Sequence, residues 1–376
     1  MTTDIDSRIS RLRARRSGEP GMASLTKSTA GYGGYAQDSA VVEDWERRGT
    51  PSQKWTRYAI GAMQAVSEKY TEVSKRTGER VANQLSNRLA ARGIPSVFRL
   101  QGSVPLNVHI KGVSDVDVLT LRTDFLTYNT YGARALKGIY SSSTSRTSKE
   151  VLRELRQCVE YDLERAFPEA EVNKNSGKAV KISGGSLARS VDVVPSHWDD
   201  NARYQISERE ADRGVTVYDK KTGQTVDNLP FVHIDRIASR CDSIGGGLRK
   251  AIRLCKNVKS DSSRSIQLSS YDISAIMYYA DMNALRVGYY TDLVILAETQ
   301  RHLDHLFRNQ DEADKLFVPD ETRKIFDSPE KRSSLLALSL EIDELFTLVF
   351  LENYPNFASD SYGISFRREM LKYVSF

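Results

Sequence analysis

Cysteine is scarce: Cys158, Cys241 and Cys255 are scattered without metal-ligand or disulfide spacing, which excludes a zinc ribbon and a cystine-stapled secreted domain. Histidine is scarce too. His302 and His305 share a helix face at i and i+3 but have no third ligand near them in sequence, so structural or surface roles are expected of both. Nothing approaches the roughly 18 uninterrupted apolar residues of a membrane span, and the N-terminus has no apolar secretory core, so a cytoplasmic chain with no membrane partner is expected. A strong net charge is missing as well: 54 Lys and Arg against 49 Asp and Glu leave +5, which a local basic pocket explains as well as a nucleic-acid surface would. At 376 residues and 40% hydrophobic, the chain can still bury one large or two modest cores, and it has no internal repeat.

The densest charge is Arg8, Arg11, Arg13, Arg15 and Arg16, followed over 18–37 by GEPGMASLTKSTAGYGGYAQ, which has neither helical nor strand period. Residues 1–49 therefore read as a flexible basic, Gly-rich arm, with Tyr32 and Tyr35 available to anchor it on the body. Thr50-Pro51-Ser52-Gln53 has capping-box spacing with proline at the first helical position. Trp55, Ala59, Ala62, Val66, Tyr70, Val73, Val81, Leu85 and Leu89 then recur at helical spacing up to Gly93. One long spine helix on the order of 60 Å is predicted, with Gly78 as its bend point.

After Pro95, the apolar residues Val97, Phe98 and Leu100 give a short strand that leads into Gly102-Ser103. The run VSDVDVLTL then sets two aspartates one residue apart among valines. Successive strand side chains alternate faces, so Asp115 and Asp117 project together while Val116 and Val118 point the other way. In LARSVDVVPSHW, Asp192 shares its face with Ala188 and Ser190, and the preceding Lys178–Ile182 run with its SGGS turn predicts an antiparallel hairpin that returns Asp192 beside the first strand.

An Asp-x-Asp alone is often no more than a polar strand face. Three carboxylates on neighbouring strands, however, can hold two hard cations, Mg²⁺ or Mn²⁺, roughly 3.5–4 Å apart, and align an attacking hydroxyl with a departing phosphate oxygen. The Gly102-Ser103 turn suits that chemistry, because a residue without Cβ lets backbone N–H groups approach a phosphate and the hydroxyl adds a donor. His109 and His197 flank these strands and either could touch substrate, but neither is needed as a base where a bound metal already lowers the pKa of the hydroxyl.

Further on, Thr147 with Glu150 at N3 caps a helix that buries Val151, Leu155, Val159 and Leu163, and Val215–Val226 reads as a hairpin around Lys221-Thr222-Gly223. From Asp235 the pattern is almost wholly helical. Read as a helix, Gly246–Lys259 sets Arg249, Arg253 and Lys256 on one face beside Leu248, Ile252 and Cys255; an ordinary solvated basic face is the alternative. Ser270 can cap the next helix and also bind phosphate there, and Tyr271 beside it is a core candidate as much as a ligand contact.

The GS…DVD…VDVVP pattern, together with YDKKTGQTVDNLPFVHIDRI from Tyr218 and the pair IRLCKNVK and LSSYDI, resembles the polymerase-beta-type nucleotidyltransferases. Among them it is similar to the cGAS/DncV-like cyclic-oligonucleotide synthases of bacterial CBASS antiphage systems, over roughly Trp55 to Tyr279. The resemblance implies an α+β fold: a polymerase-beta-like core with mixed sheet and spine helix over 50–234, and a C-terminal helical lobe over 235–376 that completes a nucleotide cleft. It implies catalytic, metal-binding roles for Asp115, Asp117 and Asp192, triphosphate contacts at Gly102, Ser103, Lys256 and Ser270, and a nucleobase stacked on Tyr271. It further implies that NTPs such as ATP and GTP would become a cyclic di- or trinucleotide of the cGAMP kind, to be recognised by a separate effector.

Animal cyclic GMP-AMP synthase engages DNA through a zinc-bearing insertion. This chain has no Cys/His cluster to build one, so no nucleic-acid activator is expected; a monomer is expected as well. Relatives conjugated at the C-terminus commonly end in a small residue, whereas this chain ends Tyr373-Val374-Ser375-Phe376, so such conjugation is not expected. The same three carboxylates also serve linear oligonucleotide polymerases and transferases that nucleotidylate RNA or protein. A catalytically silent nucleotide-binding regulator is the alternative of another class.

Overall fold

The computed structural model describes residues 4–17, 42–110, 112, 114–140, 144–357 and 362–374. The Tyr32 and Tyr35 anchor, the whole Gly-rich stretch 18–37 and the last two residues lie outside them. The principal helices are α1 (Ile5–Ser17), α2 (Lys54–Met63), α3 (Glu68–Ala91), α4 (Ser148–Ala166), α5 (Pro230–Asp242), α6 (Gly247–Asp261), α7 (Ser270–Tyr278), α8 (Asp292–Arg308) and α9 (Pro329–Asn353). The strands are β1 (Ser96–Gln101), β2 (Val116–Tyr128), β3 (Glu171–Asn173), β4 (Val180–Ser183), β5 (Val191–Asp200), β6 (Gly214–Asp219) and β7 (Gln224–Asn228). The chain divides into two units, one formed by Met1–Val66, Val108–Ser114 and Ile237–Phe376, the other by Ser67–Asn107 and Asp115–Arg236.

The second unit is built on a mixed seven-stranded sheet in the order β1-β2-β5-β4-β3, with β6 on β5 and β7 on β6. The β2–β5 pair is parallel and the other pairs are antiparallel. The valines behind the Asp-Val-Asp and Val-Asp-Val runs decide which face is covered: Val116, Val118, Val180, Ile182, Val191 and Val193 share one buried core with Leu85 and Leu89 of α3 and Leu155, Val159 and Leu163 of α4. The predicted capping box starts α4, Thr147 accepting from Glu150 N while Glu150 reaches back. Gly78 is not a bend. A Cβ there would stand 3.0 Å from Leu100 and Val116, so glycine lets α3 lie close on the sheet.

The single spine helix is not formed. Thr50–Gln53 makes a turn, α2 starts only at Lys54, and the helix ends at Met63 before Ser67 caps α3, accepting from Tyr70 N at 3.2 Å. The carbonyls that would continue α2 are taken by side chains from elsewhere in the first unit: Asn257 on Ala62 (2.9 Å), Arg253 on Met63 (2.7 Å) and Arg16 on Ala65 (2.9 Å).

Nor are residues 5–17 a flexible arm. They form α1, which buries Ile9 and Leu12 in the first unit and pairs every arginine of the basic cluster with a carboxylate. Arg8 holds Glu341 (2.7 Å), Arg11 and Arg15 hold Asp261 (2.9 and 2.6 Å), Arg13 holds Glu46 (2.6 Å) and Arg16 holds Glu43 (2.5 Å). Among the described residues no helix is long and apolar enough to cross a membrane.

Candidate active site

Strand register gathers the predicted carboxylates. Gln101 of β1 lies opposite Asp117 of β2, Asp117 opposite Asp192 of β5, Asp192 opposite Lys181 of β4, and Lys181 opposite Asn173 of β3. Residues directly opposite in a sheet share a face, so one polar row crosses five strands on the side away from the valines. Asp115, just before β2, joins it, since the Lys181 ammonium reaches its Oδ2 at 2.5 Å. The sequence placed the aspartates correctly but passed over Lys181, although the same alternation in VKIS, with Val180 and Ile182 inward, was a signal for it.

Burial first, and then the neighbouring charge of Asp115, push the Asp192 carboxyl above its usual range, while Lys181 pulls the other way. Crowded carboxylates of this kind are the donors a hard divalent cation takes, so Asp115, Asp117 and Asp192 suit Mg²⁺ or Mn²⁺ chemically. Among the described residues no three His, Cys, Asp or Glu side chains already converge as a cage. Gly102 closes the turn against this row. Its φ is +74°, and a Cβ would stand 2.3 Å from Asp117 Oδ2, so only glycine lets the Gly102-Ser103 backbone come this near.

Lys256, Ser270 and Tyr271 lie in the first unit. Lys256 is buried and its ammonium donates to the Val108 carbonyl at 2.7 Å and lies 3.4 Å from Ser114 Oγ, so its charge braces the 108–114 segment. The stripe is not a solvated face: Arg253 is buried and Arg249 pairs with Asp242. Ser269, not Ser270, caps α7 in a reciprocal box with Asp272, which leaves Ser270 as an exposed first residue. The Tyr271 hydroxyl donates to Asp320, and the Arg323 guanidinium stands 5.6 Å from its ring. Burial, then the Asp320 charge, hold this phenol well above its ordinary pKa.

Two of the histidines singled out in the sequence are held on backbone carbonyls. His197 is fully buried, its Nδ1–H donating to the Trp198 carbonyl at 2.9 Å and its Nε2 accepting from Ser148 at 2.6 Å, and burial lowers its pKa. His302 is buried with Nε2–H on the Ile276 carbonyl, and His305 meets Glu312 at the surface. His109 is buried in the first unit.

A mixed sheet with helices on one face, an acidic row on the other and a Gly-Ser turn beside it defines a polymerase-beta-type nucleotidyltransferase. No protein-family model matches the chain. Over 360 residues it is 44% identical to the cyclic dinucleotide synthase CdnE of Yersinia aleksiciae, covering 93% of each chain. It is 32% identical over 267 residues to the c-di-GMP synthase of Lachnospiraceae bacterium (strain RUG226), covering 66% of this chain and 75% of the relative. The solved STING-associated CdnE c-di-GMP synthase from Capnocytophaga granulosa matches with a TM-score of 0.68 at 26% identity, covering 94% of this chain and 100% of that one. The chain belongs to the CdnE cyclic dinucleotide synthases, within the cGAS/DncV-like nucleotidyltransferases.

Proposed function

We propose that this enzyme joins two NTPs through 2′- or 3′-hydroxyls, releases two pyrophosphates and closes the product into a cyclic dinucleotide that signals phage infection to a separate effector. The observation that carries the reading is 44% identity across 93% of both chains to a protein named as a cyclic dinucleotide synthase. Asp115, Asp117 and Asp192 would hold Mg²⁺ or Mn²⁺, which when bound lowers the pKa of the attacking hydroxyl and offsets charge on the departing phosphate. The Gly102-Ser103 turn offers backbone N–H groups and a hydroxyl to phosphate oxygens, a role supported by its close approach to Asp117. In this proposal Lys256 and Ser270 contact the triphosphate and Tyr271 stacks on a base; the exposure of Ser270 at the first turn of α7 and the clamped hydroxyl of Tyr271 support those roles.

The enzyme works in the cytoplasm as a monomer and without a nucleic-acid activator. The carboxylate partners of Arg8, Arg11, Arg13, Arg15 and Arg16 support the last point, because a neutralised arginine releases little counterion from DNA or RNA. The test incubates the purified chain with labelled NTPs and Mg²⁺, then phosphatase. A resistant dinucleotide is expected; a ladder would mean linear polymerisation, and label on macromolecules would mean transfer to RNA or protein. GTP is the first single substrate to try, because relatives 32% identical carry the name c-di-GMP synthase.

A further inference from the structure

Lys181 has no part in the roles assigned so far. It sits opposite Asp192 on the sheet, inside the acidic row, and its ammonium is 2.5 Å from Asp115 Oδ2 with both side chains partly exposed. The backbone sets the face of the sheet on which Lys181 stands, since Val180 and Ile182 on either side are in the core and only a slip of the β4–β5 register would move it to the other face. The other carboxylates meeting the row come from β2 and β5, and Lys181 is a cation that the strand order itself builds into the acidic face.

We propose that Lys181 is a built-in counter-cation: in the metal-free enzyme its ammonium occupies Asp115, and a divalent cation must displace it to reach that carboxylate. This rests on the assignment of Asp115 as a metal ligand. The consequence is a weaker and more selective site. An ammonium offers one charge to one oxygen, whereas a divalent ion gathers several oxygens at once, so only an ion able to engage the aspartates together wins the exchange. Lys181 is thus a positioning residue that keeps the acidic row from repelling itself open when no metal is bound.

The test measures Mn²⁺ binding to the full-length protein without nucleotide, by paramagnetic resonance of free Mn²⁺ and by calorimetry. Lys181→Met should bind Mn²⁺ about three- to five-fold more tightly than the parent, the gain expected from removing a partly exposed ion pair that competes for the site. The same variant should melt below the parent without metal and match it in saturating Mn²⁺, while Lys181→Arg should keep the parent's affinity. Unchanged or weaker Mn²⁺ binding by Lys181→Met would overturn the proposal. Asp117→Asn run in parallel separates the two claims: if it binds Mn²⁺ as the parent does, the metal assignment fails, whatever Lys181 does.

Discussion

Replacing Arg15 by methionine is the sharpest probe of how the basic N-terminal helix is used. Asp261, at the end of α6, has a fully buried side chain and Arg15 is 11% exposed. The carboxylate receives Arg15 twice (Nη1 at 2.8 Å, Nη2 at 2.6 Å), Arg11 Nε at 2.9 Å and the Tyr58 hydroxyl at 2.7 Å. Methionine fills much of the arginine's volume but removes two of these contacts and the cation. Breaking a buried pair costs about 3–5 kcal/mol, and the surviving Arg11 keeps the carboxylate partly compensated, so a loss of about 2–4 kcal/mol is expected. Arg11 is 41% exposed and donates less, so Arg11→Ala should cost no more than about 1 kcal/mol. Urea unfolding at unchanged m measures both. With Asp261 changed to Asn the Arg15 effect should shrink by at least half, which a double-mutant cycle reads directly. A cost below about 0.5 kcal/mol for Arg15→Met would refute the reasoning and return α1 to the status of a loose arm.

Burial lowers the His302 pKa from 6.5 to about 4, so the unfolded chain binds a proton the folded one refuses. Stability should therefore be unaffected by this group above pH 6.5 and fall by up to roughly 3 kcal/mol as pH drops toward 4, a slope that His302→Phe should flatten in pH-dependent melts. Gly102→Ala places a Cβ against Asp117 at a positive φ, so synthesis should drop at least about ten-fold with a stability cost of about 1–2 kcal/mol; parental kcat would remove the close-approach argument. Lys256→Ala leaves the Val108 carbonyl without this donor, so a melt should report a loss of about 1–3 kcal/mol and KM for NTP should rise several-fold. A stability loss with KM unchanged would make Lys256 a strut alone.

The strands that carry the aspartates were legible because a period of two is geometry: Asp117 and Asp192 must oppose the valines beside them, and the hairpin through SGGS returns one to the other. The Thr147 capping box and the Lys221–Gly223 hairpin were legible for the same local reason. What failed depended on distant residues. The break after Met63 is made by Arg16, Arg253 and Asn257, donors that no local window contains. Arg8, Arg11 and Arg15 of α1 looked solvated because their carboxylates, Asp261 and Glu341, lie hundreds of positions away, and the partners of Arg13 and Arg16, Glu46 and Glu43, lie beyond any helical spacing. Ser269 and Ser270 compete for one cap, and the acidic residue three beyond Ser269 decides in its favour.

If the acidic row is the reaction centre, pyrophosphate release depends on its charge. The variant Asp115→Asn with Asp117→Asn keeps shape and hydrogen bonding but loses the charge that holds divalent cations. It should release no pyrophosphate from NTPs with Mg²⁺ while circular dichroism and melting show an intact fold. Release at near the parent rate by a folded double variant would mean that the reaction centre lies elsewhere.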